Sequence, residues 1–320
     1  MSTLILSRKS VRELLKMPDV INAVEEAFRH WSEGKVVMPP KSYLILEQGD
    51  FRAMPVAVPG ALGIKWVSVF TENPLRRLPT VIGTIIYNDP ATGSPLAIMD
   101  ATDLTAYRTG ATSALASRYL ARRNSSTLGI VGAGAQAYTQ LLAHAEVFDL
   151  KSIRVYDYSR EAAEKFAGSL NEYPLRTTSL QEAIDCDIVC TLTPSRQPFV
   201  KKEWVRPGTH INAVGADARG KQELEPSVLA AATVVVDDIV QAASAGELNM
   251  PISKGLFREE DIYATLSDVI SGKKNGRNDD AAVTVFDCTG LAIEDIAVAR
   301  LVYESAVSNG RYPSVDLLEA

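Results

Sequence analysis

Leu128-Gly129-Ile130-Val131-Gly132-Ala133-Gly134-Ala135-Gln136-Ala137 decides the fold. An apolar strand runs into a turn of the form G-x-G-x-x-A, and a helical pattern follows. Gly132 permits the tight turn, Gly134 leaves room for backbone to approach a pyrophosphate, and Ala137 permits close helix–strand packing. The amides that open the helix, around Ala135 and Gln136, then face phosphate, where the helix dipole favours negative charge. The next strand ends in an acid, Asp157, about twenty residues beyond the turn. An acid there accepts hydrogen bonds from ribose hydroxyls and repels a 2′-phosphate, so the pattern predicts NAD in preference to NADP. The alternative is that Asp157 only caps the following helix, with Arg160 beside it softening the discrimination.

Working outward, strands and helices alternate strictly after Asn124-Ser125-Ser126. Strands are predicted near Thr127–Val131, Ser152–Tyr156, Asp187–Leu192, His210–Val214, Thr233–Asp237 and Val283–Asp287. Ser179 and Glu182 form a capping box for one of the helices between them. Near-continuous apolar strands separated by helices mean a parallel sheet covered on both faces, a Rossmann arrangement. Thr193-Pro194-Ser195 follows the strand ending at Leu192, where the ribose and nicotinamide side of such a site is lined; an ordinary polar loop is the alternative for Thr193 and Ser195. Asp217 lies just past Val214-Gly215, beyond the C-terminal end of another parallel strand, the edge at which open α/β sheets bind ligands. It is either an acid–base group or a helix cap.

Upstream the texture differs. Val20, Val24, Ala27, Phe28 and Trp31 recur at helical spacing between Pro18 and Gly34. Short β-rich runs at Ser42–Leu46, Gly63–Phe70 and Thr80–Tyr87 are separated by turn signals such as Gln48-Gly49-Asp50, which predicts an antiparallel meander. A helix is expected from about Asp103 to Arg122. The last helix, Ile293–Ser308, is expected to return to this first part.

Bulk properties narrow the function. The 320 residues are 46% apolar and 22% charged, with a net charge of −6. That balance suits a folded globular protein and disfavours attraction to nucleic acid or anionic lipid. No run of about 18 apolar residues predicts a membrane span, and no export signal is read at the N-terminus, so a cytoplasmic location is expected. Cys186, Cys190 and Cys288 form no CxxC pair and read as buried, inert thiols; with three His in the chain, no metal site is expected.

Three cations stand in apolar company: Arg52 in Phe51-Arg52-Ala53-Met54-Pro55, Lys65 in Gly63-Ile64-Lys65-Trp66-Val67, and Arg108 in Ala106-Tyr107-Arg108-Thr109-Gly110. Buried cations are costly unless paired, so together they suggest a site for an anionic substrate, a carboxylate above all. Taken singly, each also reads as a snorkelling surface charge.

The order Arg52-Ala53-Met54-Pro55, Gly63-x-Lys65, Arg108-Thr109-Gly110-Ala111, Gly132-Ala133-Gly134-x-Gln136-Ala137, Gly215-Ala216-Asp217 and Asp287-x-Thr289-Gly290-Leu291-Ala292 resembles the ornithine cyclodeaminase/mu-crystallin family over nearly the whole chain. Within it, Gly220-Lys221-Gln222-Glu223-Leu224 and Gly246-Glu247-x-Asn249 are most similar to the archaeal-type alanine dehydrogenases. The resemblance implies a homodimer. It also implies an α/β chain with a Rossmann NAD-binding domain, residues 114–300, and an α+β substrate-binding and dimerisation domain built from residues 1–113 and 301–320. It implies that Arg52, Lys65 and Arg108 hold the substrate carboxylate and that Lys65 and Asp217 do the chemistry. Arg108, Thr109, Val214, Gly215 and Thr289 join the cofactor site on the same ground.

Members of this family oxidise amino acids, reduce cyclic or linear imines, or cyclise ornithine. Cyclodeaminases carry a carboxylate between the arginine and lysine motifs for a distal ammonium, and Ala53–Ile64 here holds no acid. A small apolar side chain suits that stretch, so alanine is the expected substrate. Glu72, or an acid brought in by folding, would reopen the choice. A ketimine reductase acting on Δ1-pyrroline-2-carboxylate, an ornithine cyclodeaminase and a mu-crystallin-like binding protein are the alternatives. The Lys65/Asp217 pair argues against the last.

Overall fold

The computed structural model describes residues 2–318. The chain opens with β1 (Ser2–Leu6), α1 (Arg8–Leu14) and α2 (Met17–Ser32), followed by β2 (Ser42–Leu46), β3 (Gly49–Val58), β4 (Ala61–Val69), β5 (Val81–Asn88) and β6 (Pro95–Asp100). After α3 (Thr102–Leu120) come β7 (Thr127–Val131), α4 (Ala137–Val147), β8 (Ser152–Tyr156), α5 (Arg160–Gly168), β9 (Leu175–Thr177), α6 (Leu180–Ile184) and β10 (Ile188–Thr191). Then follow β11 (His210–Ala213), α7 (Pro226–Leu229), β12 (Thr233–Val236), α8 (Ile239–Ala245), α9 (Asn249–Ser253), β13 (Ala264–Thr265), α10 (Leu266–Ile270) and β14 (Thr284–Asp287). The last elements are α11 (Ala292–Asn309) and β15 (Ser314–Asp316).

Two units result. The first takes the chain up to Arg108 and from Leu291 onward, and the second is Thr109–Gly290. These junctions lie ahead of residues 113 and 300, where the resemblance places them. From Thr109 onward α3 bonds to α4, Ser113 Oγ accepting from Gln140 Nε2 at 3.0 Å and Ser117 Oγ meeting His144 Nε2 at 2.9 Å. The whole of α11 packs on α2, β3, β4 and β5 of the first unit.

The first unit's sheet has the order β15-β1-β6-β5-β4-β3-β2. From β2 to β6 it is an antiparallel meander, with β1 parallel to β6. Alternation along β3 and β4 turns Met54, Val56, Val58 and Val67 inward. Against that face lie α11 and α2, whose Val20, Ile21, Val24 and Phe28 are buried. Gly49 and Asp50, read from the sequence as part of a turn, are the first residues of β3; the hairpin turn is Glu47-Gln48.

The second unit's sheet has the order β13-β12-β14-β11-β10-β7-β8-β9, with every pair parallel. The central strands β10, β11 and β14 are buried throughout, as a sheet covered on both faces requires. The strand order reverses between β7 and β10, so the C-terminal ends of these two strands mark the switch point. Among the described residues no helix is long and apolar enough to cross a membrane, and all three cysteines are free and buried.

Candidate active site

In the first unit the site grows from strand register. Met54 pairs with Lys65 and Arg52 with Val67, so Arg52 and Lys65 stand on adjacent strands and on the same buried face. Helix α11 lies over that face. A Cβ at Gly63 would sit 2.8 Å from Ile296 Cδ1 and 2.6 Å from the Ile86 carbonyl oxygen, so glycine there is what admits α11 so closely.

The approach brings two acids down onto the cations. Lys65 Nζ donates to Asp295 Oδ1 at 2.7 Å, and Arg108 Nε donates to the same oxygen at 2.9 Å. Arg108 Nη1 reaches Glu294 Oε2 at 2.8 Å. Arg52 grips Asp50 through Nε at 2.5 Å and Nη2 at 3.0 Å, and its guanidinium lies over the Tyr43 ring. All three cations are buried, and three carboxylates, Asp50, Glu294 and Asp295, pair with them. An anionic ligand is not needed to balance them, which removes the charge argument drawn from burial alone. Asp295 Oδ2 is buried with no partner. Burial drives the Lys65 ammonium from its ordinary range down to about 7, against the attraction of Asp295 and with the repulsion of Arg108. Burial also raises the Glu294 carboxyl, opposed by Arg108.

Glu294 and Asp295 were not singled out from the sequence. Their signal was the one that marked the cations: charge in apolar company, here Leu291-Ala292-Ile293-Glu294-Asp295-Ile296.

The second unit gathers the glycine turn, Asp157, Thr193, Ser195, Val214, Gly215, Asp217 and Thr289 at the C-terminal edge of its sheet. Gly132 has a φ of 107°, which a residue with a Cβ rarely adopts. Gly134 and Ala135 are exposed, and a Cβ on Gly134 would meet nothing within 4 Å, so the turn is open to a pyrophosphate. Ala137 is fully buried, and Gln136 Oε1 is buried without a partner. Asp157 ties the turn to its own strand, Oδ2 accepting from Ala133 N at 2.7 Å and Oδ1 from Ser159 N at 2.8 Å. The cap of α5 is Ser159 and not Asp157. Arg160 is paired with Glu164 at 2.7 Å. A cavity of about 490 Å³ lined by Asp157, Tyr158 and Thr178 adjoins them, room for a nucleoside. These features fit a dinucleotide.

Thr193 donates to Glu223 Oε1 from both N and Oγ1, each at 2.7 Å, and Gly215 N donates to Glu223 Oε2 at 3.0 Å. Ser195 N turns back to Thr193 Oγ1 at 3.3 Å, and Ser195 Oγ donates to the Gln197 carbonyl at 2.7 Å. Val214 N bonds to the Thr191 carbonyl at 3.0 Å. Thr289 N donates to Asp237 Oδ2 at 2.6 Å. Asp217 Oδ1 accepts from Lys221 Nζ at 2.5 Å. No helix starts at Asp217, the next being α7, so it is not a helix cap.

The sequence profile of the ornithine cyclodeaminase/mu-crystallin family matches residues 1–310. The chain is 50% identical over 310 residues to an alanine dehydrogenase of Archaeoglobus fulgidus, covering 96% of each. It is 38% identical over 318 residues to a Δ1-pyrroline-2-carboxylate reductase of Bacillus cereus, covering 96% of this chain and 98% of the other. The solved structure of an archaeal alanine dehydrogenase dimer with bound NAD superposes with a TM-score of 0.98 at 49% identity, covering 99% of this chain and all of that one.

Proposed function

The chain belongs to the ornithine cyclodeaminase/mu-crystallin family, and from that membership we propose that it is an NAD-dependent alanine dehydrogenase: L-alanine, NAD and water give pyruvate, ammonia and NADH. The observation that carries the reading is Lys65, a fully buried lysine whose nitrogen shares Asp295 with Arg108. Full-length likeness to the Archaeoglobus protein supports alanine as the substrate, as does the absence of an acid from residues 53–64.

When bound, NAD supplies the acceptor for the hydride that leaves Cα. Arg52 and Arg108 hold the substrate carboxylate, Arg108 steadied by Glu294 and Asp295. Lys65, protonated, polarises the bond from Cα to its heteroatom. Asp217 takes the proton of the amine, or of the water that hydrolyses the imine.

The reading is tested by mixing the protein with NADH, pyruvate and ammonium and following absorbance at the nicotinamide band. Ammonium-dependent loss of NADH is the expected result. Inertness there, with turnover of Δ1-pyrroline-2-carboxylate, would transfer the assignment to the chemistry of the Bacillus cereus relative.

Asp157 is assigned to the ribose. Its replacement by serine removes the charge that repels a 2′-phosphate, and the preference for NADH over NADPH is expected to fall by about tenfold or more, a change near 1.4 kcal/mol. Equal preference in D157S and the unaltered chain, measured as a ratio of kcat/KM, would reject it.

We also assign a homodimer. Leu44, Ile45 and Leu46 of the edge strand β2 are exposed, Ile45 by 83%, and Leu75 and Leu78 are exposed in the loop after β4. Exposed large apolar side chains on an edge strand suit burial against a second copy. Light scattering should return twice the chain mass, and Ile45→Lys should shift it toward that of one chain.

A further inference from the structure

Two motifs, Gly220-Lys221-Gln222-Glu223-Leu224 and Gly246-Glu247-Leu248-Asn249, have no role in the chemistry above, and the structure joins them. Glu223 is wholly buried, and its carboxylate accepts from Thr193 N and Oγ1 after β10 and from Gly215 N after β11. One side chain thus holds two loops at the C-terminal edge of the sheet. It is itself held. Glu247, also wholly buried, accepts from Glu223 N at 2.9 Å and from Leu224 N at 2.6 Å. Asn249 takes Gly220 N on its Oδ1 at 2.9 Å and gives its Nδ2 to the Lys221 carbonyl at 2.9 Å. Asp287, at the end of β14, accepts in turn from Glu247 N at 2.9 Å and Leu248 N at 3.1 Å.

The 217–224 segment, with Asp217 at its head and Lys221 paired to it, is therefore suspended from the 246–249 segment. The fit around Glu223 is tight: a Cβ on Gly215 would lie 2.5 Å from Glu223 Oε2. Three bonds to one buried carboxyl fix both loops more firmly than loop–loop packing would. We propose that Glu223 is the positioning residue of the cofactor site, setting the Thr193 and Gly215 loops in register for the dinucleotide and carrying Asp217 with them. The proposal rests on the reading of these loops as cofactor-lining.

The test is Glu223→Gln. An amide keeps one acceptor oxygen and turns an NH2 toward a backbone N–H, so one loop loses its partner. Titration of NADH fluorescence should show Kd raised about tenfold, with kcat lowered further still because Asp217 shifts. Glu223→Asp keeps the carboxyl on an arm one methylene shorter and should raise Kd by a smaller factor, about threefold. It carries the comparison if E223Q does not fold. The control is Asp187→Asn. Asp187, at the opposite end of the sheet, accepts from Ser126 N and Thr127 N; its loss should lower the melting temperature and leave Kd within about twofold. Unaltered NADH affinity in a folded E223Q, or an equal rise in D187N, overturns the proposal while the dehydrogenase reading stands. Failure of the unaltered chain to bind NADH overturns both.

Discussion

Replacing Lys65 with alanine is expected to lower kcat for the reductive amination of pyruvate by about a thousandfold, the range found when a positioned acid–base group is removed. The Kd for NADH should change by less than about threefold, because the lysine belongs to the first unit and the cofactor turn to the second. The side chain is fully buried on one face of β4, and its neighbour Arg108 is tied to Glu294 as well as to Asp295, so the guanidinium is not expected to replace the ammonium. Its position near neutrality adds a second signature. Burial holds the ammonium at about 7, so the group is protonated below that pH and neutral above it. At saturating ammonium, kcat/KM for pyruvate should be flat below about 7 and fall as pH rises through it. A K65A enzyme with half the original kcat, or a profile rising through neutrality, would remove Lys65 from the chemistry.

The second large effect concerns stability. Asp295→Asn leaves Lys65 and Arg108 buried without the carboxylate oxygen they share, and breaking a buried pair from one side costs about 3–5 kcal/mol. The lysine has one escape, which limits the loss: its ammonium is already down at about 7, so at pH 7 it sheds the proton at little cost and the full loss appears only below that pH. Urea unfolding followed by circular dichroism should show the drop in midpoint. Lys65→Met combined with Asp295→Asn should recover at least half of it, since Arg108 keeps Glu294 and no unpaired ammonium remains. The same single variant connects with the pH profile. Asp295 raises the lysine's pKa, so in D295N the fall in kcat/KM should begin at lower pH. A midpoint unchanged by D295N would mean that water already screens the pair.

The parallel sheet was legible nearly residue by residue. Thr127–Val131 and Ser152–Tyr156 are the strands the apolar runs mark, because strands buried on both faces leave an uninterrupted signature. Where burial is one-sided or an element is short, the signal thinned. β1 is five residues packed between β6 and β15, whose alignment depends on partners far along the chain. β9 and β13, at the two rims of the sheet, are three and two residues long. The cations of the site were visible as charges out of place; their partners were not. Lys65 and Asp295 are 230 residues apart, and an acid in the first turn of a helix reads first as a partner for the helix dipole. The clasp formed by Glu223, Glu247 and Asp287 was hidden for a related reason. Each acid bonds to backbone N–H groups, which carry no mark in the sequence.

The pairing of Lys65 and Arg108 with Glu294 and Asp295 has a consequence for the order of synthesis. A nascent chain that has delivered both cations and all five strands of the meander has not yet delivered either of their counterions, which arrive only after the entire second unit. The face of β3 and β4 must wait, uncovered and with its charges in water, while Thr109–Gly290 is made and closes on its own core. The earliest part of the protein to be translated is thus the last to be completed. Loss of the final thirty or so residues, Leu291 onward, would leave the intervening unit whole while disarming the lysine made long before it.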